Sequence, residues 1–200
     1  EAAEELGCDF TQCDVAEYEQ VEALVEATVE KYGQLDVIVN NAGIGRVGTV
    51  EDMSLDDWHD IIRINLNGVM HGTRAALPHL KESEGSIINI ASIYGLVAAP
   101  EATAYAAAKG GIINFTRSVA IDYAKENVRV NSICPGFVET PMTEPSFEDE
   151  AFYEYVHGQT PIGRVAQPEE IAGLAMFLAS EEASYITGTN IPVDGGWTAQ

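Results

Sequence analysis

The two residues in this sequence most able to do chemistry are Tyr105 and, four positions later, Lys109. Four residues turn an α-helix by about 400°, so the two side chains would share one helix face. A phenol with its ordinary pKa of about 10 is a poor base at neutral pH, but a neighbouring ammonium group lowers that pKa. We therefore predict a proton donor and acceptor here, although the spacing alone also fits a surface tyrosine beside a lysine.

Further polar groups follow apolar runs that would be strands of one sheet. Ser92 comes directly after the run 86–91, upstream of Tyr105. The segments 40–43 (Asn-Asn-Ala-Gly) and 135–136 (Pro-Gly) end two other apolar runs in the same way. Because ligands of open parallel sheets bind at the carboxyl ends of the strands, we expect these groups to meet at one rim.

The elements that must position these groups alternate between strand and helix. We predict strands at residues 8–15, 35–39, 86–91, 128–134 and 190–193. We predict helices at 17–31, from Ser54 towards Leu80, at 103–124 and at 168–178, with a loop containing a short helix at 139–159. This alternation is typical of an α/β fold with a doubly wound parallel sheet in three α/β/α layers.

Gly43, Gly45 and Gly48 match the glycine pattern of dinucleotide-binding loops, but we reject that interpretation. The mechanism requires a helix to begin at the last glycine, so that the first amides of the helix face the pyrophosphate. Residues 49–53 separate Gly48 from the predicted helix start at Ser54. We therefore interpret this segment as a flexible loop beside a site.

The charge balance disfavours several classes of function. Ten Lys and Arg residues against thirty-two Asp and Glu residues give a net charge of −22, which argues against nucleic acids and anionic membranes as partners. No apolar run reaches the ~18 residues of a membrane helix, no signal peptide is recognisable, and the histidines lack a metal-binding spacing, so no metal is expected. The cysteines Cys8, Cys13 and Cys134 form no CxxC pair, and we expect them reduced, buried or strand-borne, in the cytoplasm.

The acidic residues are spread along the chain instead of forming one tail. This distribution favours a generally solvated surface over a module that binds one basic partner. The only lysines are Lys31, Lys81, Lys109 and Lys125. We interpret the acidity and the scarcity of lysine as adaptation to high salt, where charge repulsion is screened within a few ångströms.

A set of motifs in fixed order resembles the classical short-chain dehydrogenases/reductases. The matching residues are 40–43, Asn65, Ser92, Tyr105 with Lys109, Pro135 and Gly136 with Thr140, and Asp194 with Gly195 and Gly196. The resemblance covers the whole chain and implies one NAD(P)-binding Rossmann domain over residues 1–200. It also implies NAD or NADP as cofactor and interconversion of a secondary alcohol and a ketone by hydride transfer.

The resemblance implies a role for each matching residue. Tyr105 would be the general acid and base at the substrate oxygen, and Ser92 would orient that oxygen. Lys109 would contact the nicotinamide ribose and lower the pKa of Tyr105, while Asn65 would hold a water that relays protons to Lys109. The implied cofactor-binding residues, besides Tyr105 and Lys109, are Asp14 and Val15 at the adenine, Asn41, Ala42 and Gly43 near the adenosine ribose, and Pro135, Gly136, Val138 and Thr140 around the nicotinamide and its phosphates.

The start of the sequence departs from the family pattern. The glycine-rich TGxxxGxG loop and the strand whose end selects NAD or NADP have no counterpart in these 200 residues. We therefore expect residues 8–15 to be the third strand of the family fold, with the first βαβ unit, about 30 residues or more, upstream. Residues 35–39 would then form an exposed edge, and these residues alone would neither bind NAD(P) tightly nor stay soluble.

The sequence leaves more than one class of protein to consider, and it does not identify the substrate. A non-catalytic cofactor-binding relative is disfavoured because Tyr105 and Lys109 are both present. Among enzymes, 3-oxoacyl-(acyl-carrier-protein) reductase is the main alternative to a secondary-alcohol or sugar dehydrogenase. The scarcity of basic residues disfavours an acidic carrier protein as partner and leaves a small-molecule alcohol or ketone.

One polar segment is expected to lie over the substrate. The segment 139–159 would cover the substrate as a lid. Its aromatic residues would either line an apolar pocket or pack the short helix of the lid against the body of the protein, and these residues are Phe147, Phe152, Tyr153 and Tyr155.

The resemblance implies a homotetramer of the complete protein, paired through the small residues at 102–111 and the apolar end at 186–197.

Overall fold

The computed structural model describes residues 2–200, in which four parallel strands form one sheet in the order β1-β2-β3-β4. The strands are Val37–Asn40 (β1), Ser86–Ile90 (β2), Arg129–Pro135 (β3) and Asn190–Val193 (β4). The helices are Ala2–Leu6 (α1), Tyr18–Tyr32 (α2), Leu55–Ile61 (α3), Gly68–Ser83 (α4), Thr103–Tyr123 (α5), Glu144–Phe147 (α6), Glu150–Gln159 (α7) and Pro168–Ala179 (α8). The predicted α/β class is confirmed.

Parallel pairing brings the carboxyl ends of the strands to one edge. Asn40 of β1 lies opposite Asn89 of β2, and Ile90 lies opposite Ile133 of β3. Each connection between neighbouring strands contains at least one helix, as parallel pairing requires. The segments that follow β1, β2 and β3 therefore leave the sheet side by side, as the sequence predicts.

The core lies on both faces of β2 and β3. Ile87 is fully buried against α4 and α5, in a cluster with Leu80 and Val119. Its neighbour Ile88 points to the opposite face, where it packs with Leu178 of α8. Burying each such side chain contributes roughly 1.5–3 kcal/mol, and this two-sided burial produces the predicted three-layer arrangement.

The helix ends follow the sequence signals. The Ser54 hydroxyl accepts a hydrogen bond from the Asp57 amide at 3.0 Å, and α3 begins at the next residue. Gly33 ends α2 with a left-handed φ of 89°. Pro168 occupies the first position of α8, where a missing amide hydrogen costs nothing.

The predicted strand at residues 8–15 is wrong. Residues 8–14 have no regular structure, and Cys8 is exposed, although we expected it to be buried or strand-borne. Within the described residues no strand pairs with this segment, because the sheet ends at β1. A single extended segment without a ladder partner leaves its backbone groups to water, so it does not hold a strand conformation.

Strand β1 is the exposed edge that we expected for residues 35–39. Val39 is 46% exposed, and the strand is at one edge of the sheet in the part of the chain that the structure describes. The predicted lid at 139–159 contains two helices, α6 and α7, instead of one. None of the helices within residues 2–200 combines the length and apolar character that crossing a bilayer requires.

Candidate active site

A cavity of about 650 Å³ opens at the carboxyl ends of β1, β2 and β3. The predicted site residues that line it are Asn41, Ala42, Gly43, Ser92, Tyr105, Lys109, Pro135, Gly136, Val138 and Thr140. These residues come from three strand ends and one helix, so the fold brings together groups that are far apart in the sequence. The predicted meeting of polar groups at one rim is confirmed.

Ser92 is placed by the end of β2. The ladder continues to the residue before it, since the Ala91 amide donates to the Ile133 carbonyl at 2.8 Å. The Ser92 hydroxyl accepts a hydrogen bond from the Tyr94 amide at 3.1 Å and begins a short 3₁₀ turn. With only 7% of its surface exposed, Ser92 presents one hydroxyl of fixed direction to the cavity.

Tyr105 lies in the first turn of α5, next to Ser92. Burial raises the pKa of Tyr105, and a hydrogen bond with Ser92 lowers it by a smaller amount. The expected lowering by Lys109 is not found, since the hydrogen bond with Ser92 is the one effect that lowers this pKa. In this structure Tyr105 therefore holds its proton at neutral pH and is a proton donor.

Lys109 is almost completely buried one helical turn after Tyr105. Its exposed fraction is 4%, and its Nζ donates a hydrogen bond to the Ile90 carbonyl at 2.7 Å. The Nζ lies 5.5 Å from the centroid of the Tyr105 ring. Burial lowers the pKa of Lys109 from 10.5 to about 8, so the ammonium form persists at pH 7 but is close to titration.

Asn65 lies in a π-helical segment, Ile62–Asn67, between α3 and α4. Its side chain is fully buried and makes two hydrogen bonds of 2.8 Å with Ile44. Oδ1 accepts from the Ile44 amide, and Nδ2 donates to the Ile44 carbonyl. Single π-turns inside helices are frequent at functional sites. The side chain thus anchors the loop after β1, and it does not line the cavity. The expected water-holding role of Asn65 stays a prediction.

At Gly43, the backbone of the loop that Asn65 anchors lies close to the side chains of Asn65 and Lys109. A Cβ atom at Gly43 would lie 3.1 Å from Asn65 Oδ1 and 3.8 Å from Lys109 Nζ. The absence of a side chain therefore keeps the cavity open to a ligand over Lys109. Gly45 and Gly48 do not line the cavity, and α3 begins only at Leu55, which supports rejecting the GxGxxG interpretation.

Asp14 and Val15 are not brought to the cavity with the other predicted residues. Asp14 is exposed and accepts a hydrogen bond from the Ala16 amide at 2.9 Å. Val15 lines a separate cavity of about 160 Å³ beside β1, which Asn41 and Ala42 also line. Val15 thus shares the smaller cavity with two residues of the main one, whereas Asp14 lines neither cavity.

Several cavity residues were not predicted from the sequence. One wall is apolar and comes from α8, through Ile171, Ala172 and Ala175. Thr143 also lines the cavity, and its hydroxyl donates to the Val138 carbonyl at 2.5 Å. The spacing of Ile171 and Ala175 on one helix face was an available signal, but it resembles ordinary core packing.

A family model described as enoyl-(acyl carrier protein) reductase matches residues 1–198. Trans-4-hydroxycyclohexanecarboxylate dehydrogenase of Sinomonas cyclohexanicum is 48% identical over 95% of this chain and 71% of that protein. The 3-oxoacyl-(acyl-carrier-protein) reductase of Thermotoga maritima is 44% identical over 92% of this chain and 74% of that protein. The structure of a gluconate 5-dehydrogenase from Burkholderia cenocepacia, in complex with NADP and tartrate, superposes with a TM-score of 0.90 at 37% identity, over 94% of this chain and 74% of that one.

These matches and the Ser92–Tyr105–Lys109 geometry define a class of oxidoreductases with a Rossmann-like fold. The chain belongs to the short-chain dehydrogenase/reductase family. Members of this class interconvert CH–OH and carbonyl groups with a nicotinamide cofactor.

Proposed function

We propose that this protein is an NAD(P)-dependent oxidoreductase that interconverts a secondary alcohol and a ketone, with Tyr105 as general acid and base. The observation that carries the proposal is the convergence of Ser92, Tyr105 and Lys109 at one cavity. The hydroxyl groups of Ser92 and Tyr105 are the pair that would hold a substrate oxygen. Their fixed direction would stabilise the charge that develops on that oxygen.

The residues around the cavity fit a dinucleotide. The cavity has about 650 Å³, and Gly43 leaves it open above Lys109. An ammonium group has three donors, and one of those on Lys109 is directed to the Ile90 carbonyl, so two remain for ribose hydroxyls. Asn41, Ala42, Pro135, Gly136, Val138 and Thr140 would hold the rest of the cofactor. When bound, NAD or NADP supplies the hydride chemistry.

The chain's own residues would carry the proton. Tyr105 would donate its phenolic proton to the carbonyl oxygen in reduction and take it back from the alcohol in oxidation. Ser92 would orient the oxygen, and Lys109 would hold a positive charge beside the phenol. Asn65 would position the loop after β1 through its two bonds to Ile44. A water that relays protons to Lys109 would bond to a polar group of Asn65 that the two bonds to Ile44 do not occupy.

The domain is proposed to be completed by a βαβ unit with the glycine-rich loop, upstream of residue 1. Two features support this proposal: Val39 is 46% exposed on the edge strand β1, and a cavity of about 160 Å³ runs beside that strand. Asp14 and Val15 would then reach the adenine from the side of the added strands. Calorimetric titration of residues 1–200 with NADH and NADPH tests the proposal, and micromolar binding by this chain alone would contradict it.

The acidic composition supports proposals about the charge of the substrate, the cellular compartment and the salt concentration at which the protein works. A net charge of −22 disfavours an acidic carrier protein, so a small secondary alcohol is preferred over a 3-oxoacyl-(acyl-carrier-protein) substrate. It also supports a cytoplasmic enzyme of a salt-rich cell. Cys8, Cys13 and Cys134 are free thiols, which fits a reducing compartment.

A homotetramer is proposed for the complete protein. Ile121 on α5 is 77% exposed, and Met176 on α8 is 73% exposed. Large apolar side chains on two helix faces are the kind of surface that subunit contact covers. Light scattering at micromolar concentration is expected to give four subunits, and a monomer would contradict this assembly.

The decisive experiment compares the enzyme with its Tyr105→Phe variant. Removing the phenolic oxygen should lower kcat/KM for secondary alcohols by about 10²–10⁴-fold, while changing the dissociation constant of NAD(P)H by a much smaller factor. Tyr32→Phe is the matched control, since Tyr32 is a surface residue at the end of α2. Unchanged turnover in Tyr105→Phe would overturn the mechanism.

A further inference from the structure

A continuous group of aromatic side chains extends from Tyr105 to the lid helices. Tyr94 packs edge-on against Tyr105, with the ring centroids 6.5 Å apart, and against Phe137 at 6.1 Å. We call the rings beyond Tyr105 the aromatic wall, and they are Tyr94, Phe137, Phe147, Phe152, Tyr155 and Trp197. The proposed function uses none of them.

Phe137 is the centre of the aromatic wall. Its ring centroid lies 5.1 Å from that of Trp197 and 5.8 Å from that of Phe152. Tyr155, which is 54% exposed, continues the wall outwards from Trp197 at 6.1 Å. Each ring of the wall retains some accessible surface, so the wall offers rigid apolar area to a ligand at little cost in side-chain entropy.

The position of the wall decides which part of a substrate it would contact. The substrate oxygen must lie between the hydroxyls of Ser92 and Tyr105, and the cofactor would fill the cavity over Lys109 and Gly43. The six rings do not line the cavity themselves, but Tyr94 packs against Tyr105, which does, and Phe137 lies between the cavity residues Gly136 and Val138. The carbon substituents of the substrate would then extend from the cavity towards the wall. The Tyr94 amide is fixed by the Ser92 hydroxyl at 3.1 Å, so the wall and the reacting oxygen are held by the same short turn.

The lid segment, which contributes Phe147, Phe152 and Tyr155 to the wall, carries negative charge. The lid segment 139–159 carries six carboxylates and no Lys or Arg, and the carboxylates belong to Glu139, Glu144, Glu148, Asp149, Glu150 and Glu154. Within the described part of the chain, Lys109 lies over Tyr105, and no cation is recorded over a ring of the aromatic wall. Arg164, the first arginine after the lid in the sequence, forms two 2.7 Å bonds with Glu170.

We infer that the substrate is an uncharged secondary alcohol or ketone whose carbon skeleton is a ring, or a group of similar apolar bulk, packed on the aromatic wall. The inference rests on the proposed function and specifies its substrate class. Anionic substrates are disfavoured by the acidic lid and by the lack of a cation to pair with them. Polyhydroxylated substrates are disfavoured because Phe137 at the centre of the wall, and Phe147 and Phe152 beside it, offer no hydrogen-bonding group.

Matched substrates test this inference with the full-length enzyme and its cofactor. Cyclohexanol is compared with 2-propanol, with 4-hydroxycyclohexanecarboxylate and with myo-inositol. Each additional buried methylene is worth about fourfold, so kcat/KM for cyclohexanol should exceed that for 2-propanol by about tenfold or more. It should exceed the values for the carboxylate and the polyol by a similar factor, and the penalty on the carboxylate should shrink at 1 M salt, where charges are screened.

A pair of phenylalanine variants separates the wall from general packing effects. Phe137→Leu should lower the ratio of kcat/KM for cyclohexanol to that for 2-propanol by about fivefold or more. Phe115→Leu removes a ring that is likewise half-buried but packs in the core between α4, α5 and β3, and it should leave the ratio unchanged. An unchanged ratio in Phe137→Leu, or a carboxylate or polyol that is turned over as well as cyclohexanol, would overturn the inference.

A binding readout keeps this inference distinct from the proposed function. The two tryptophans of these 200 residues are Trp58 and Trp197, and Trp197 is part of the wall. When Trp58 is replaced by Phe, the fluorescence of Trp197 should change on addition of cyclohexanol and not on addition of the carboxylate. Preferential binding of cyclohexanol without turnover would refute the proposed oxidoreductase activity and support the inference. Turnover of all four alcohols without preference would support the activity and refute the inference, and neither binding nor turnover would refute both.

Discussion

Replacing Lys109 by methionine should make the protein more stable at pH 7 and inactive. Burial lowers the pKa of Lys109 from 10.5 to about 8, a difference that corresponds to about 3 kcal/mol. Below pH 8 the native state carries this cost, because it holds a charged ammonium group of which only 4% is exposed. Methionine removes the charge but leaves the Ile90 carbonyl without its donor, which costs about 1–2 kcal/mol. The variant should thus gain about 1–2 kcal/mol.

The sign of the effect reverses with pH. Between pH 8 and 10.5 the unfolded chain holds a proton at Lys109 that the native state has lost, so the stability of the wild-type protein rises with pH across this window. The advantage of the variant should therefore disappear and become a disadvantage near pH 10. Urea denaturation at pH 7 and pH 10 measures both free energies without adding salt. A stability difference that is the same at the two pH values would refute the burial argument.

Three further predictions concern the loop after β1, pH and salt. Gly43→Ala places a Cβ 3.1 Å from Asn65 Oδ1 and should weaken NADH binding by about tenfold, whereas Gly45→Ala, with nothing within 4 Å, should not; equal affinities would contradict the proposed approach at Gly43. Because burial raises the pKa of Tyr105, kcat for alcohol oxidation should rise from pH 7 to pH 10 while ketone reduction does not, and a flat oxidation profile would count against Tyr105 as base. With a net charge of −22, the urea midpoint should rise from 0.1 to 2 M KCl, and an unchanged midpoint would argue against adaptation to salt.

The parts of the site predictable from sequence are those with a local cause. The four-residue spacing of Tyr105 and Lys109 fixes their common face on α5, whatever the rest of the chain does. The strand ends at Ser92 and Pro135 follow from apolar runs long enough to be buried on both faces. The caps at Ser54 and Pro168 depend on the chemistry of single residues, so the sequence predicts them equally well.

The parts that escaped prediction depend on contacts between distant segments. Residues 8–14 have the composition of a strand, but a strand requires a partner, and β1 is an edge in the described structure. Burial raises the pKa of Tyr105 more than the hydrogen bond with Ser92 lowers it, and burial is a property of the assembled site. The π-helical turn at Asn65 and the convergence of aromatic rings on Phe137 likewise have no periodic signature.

The most direct test of the central claim follows the hydrogen itself. Cyclohexanol labelled with deuterium at the carbinol carbon is incubated with the full-length enzyme and NAD or NADP, and the nicotinamide product is analysed by mass spectrometry. Direct hydride transfer with Tyr105 as acid and base should give one deuterium per reduced cofactor, cyclohexanone in equal amount, and loss of both in Tyr105→Phe. Reduced cofactor without deuterium, or no reduction with any secondary alcohol, would contradict it.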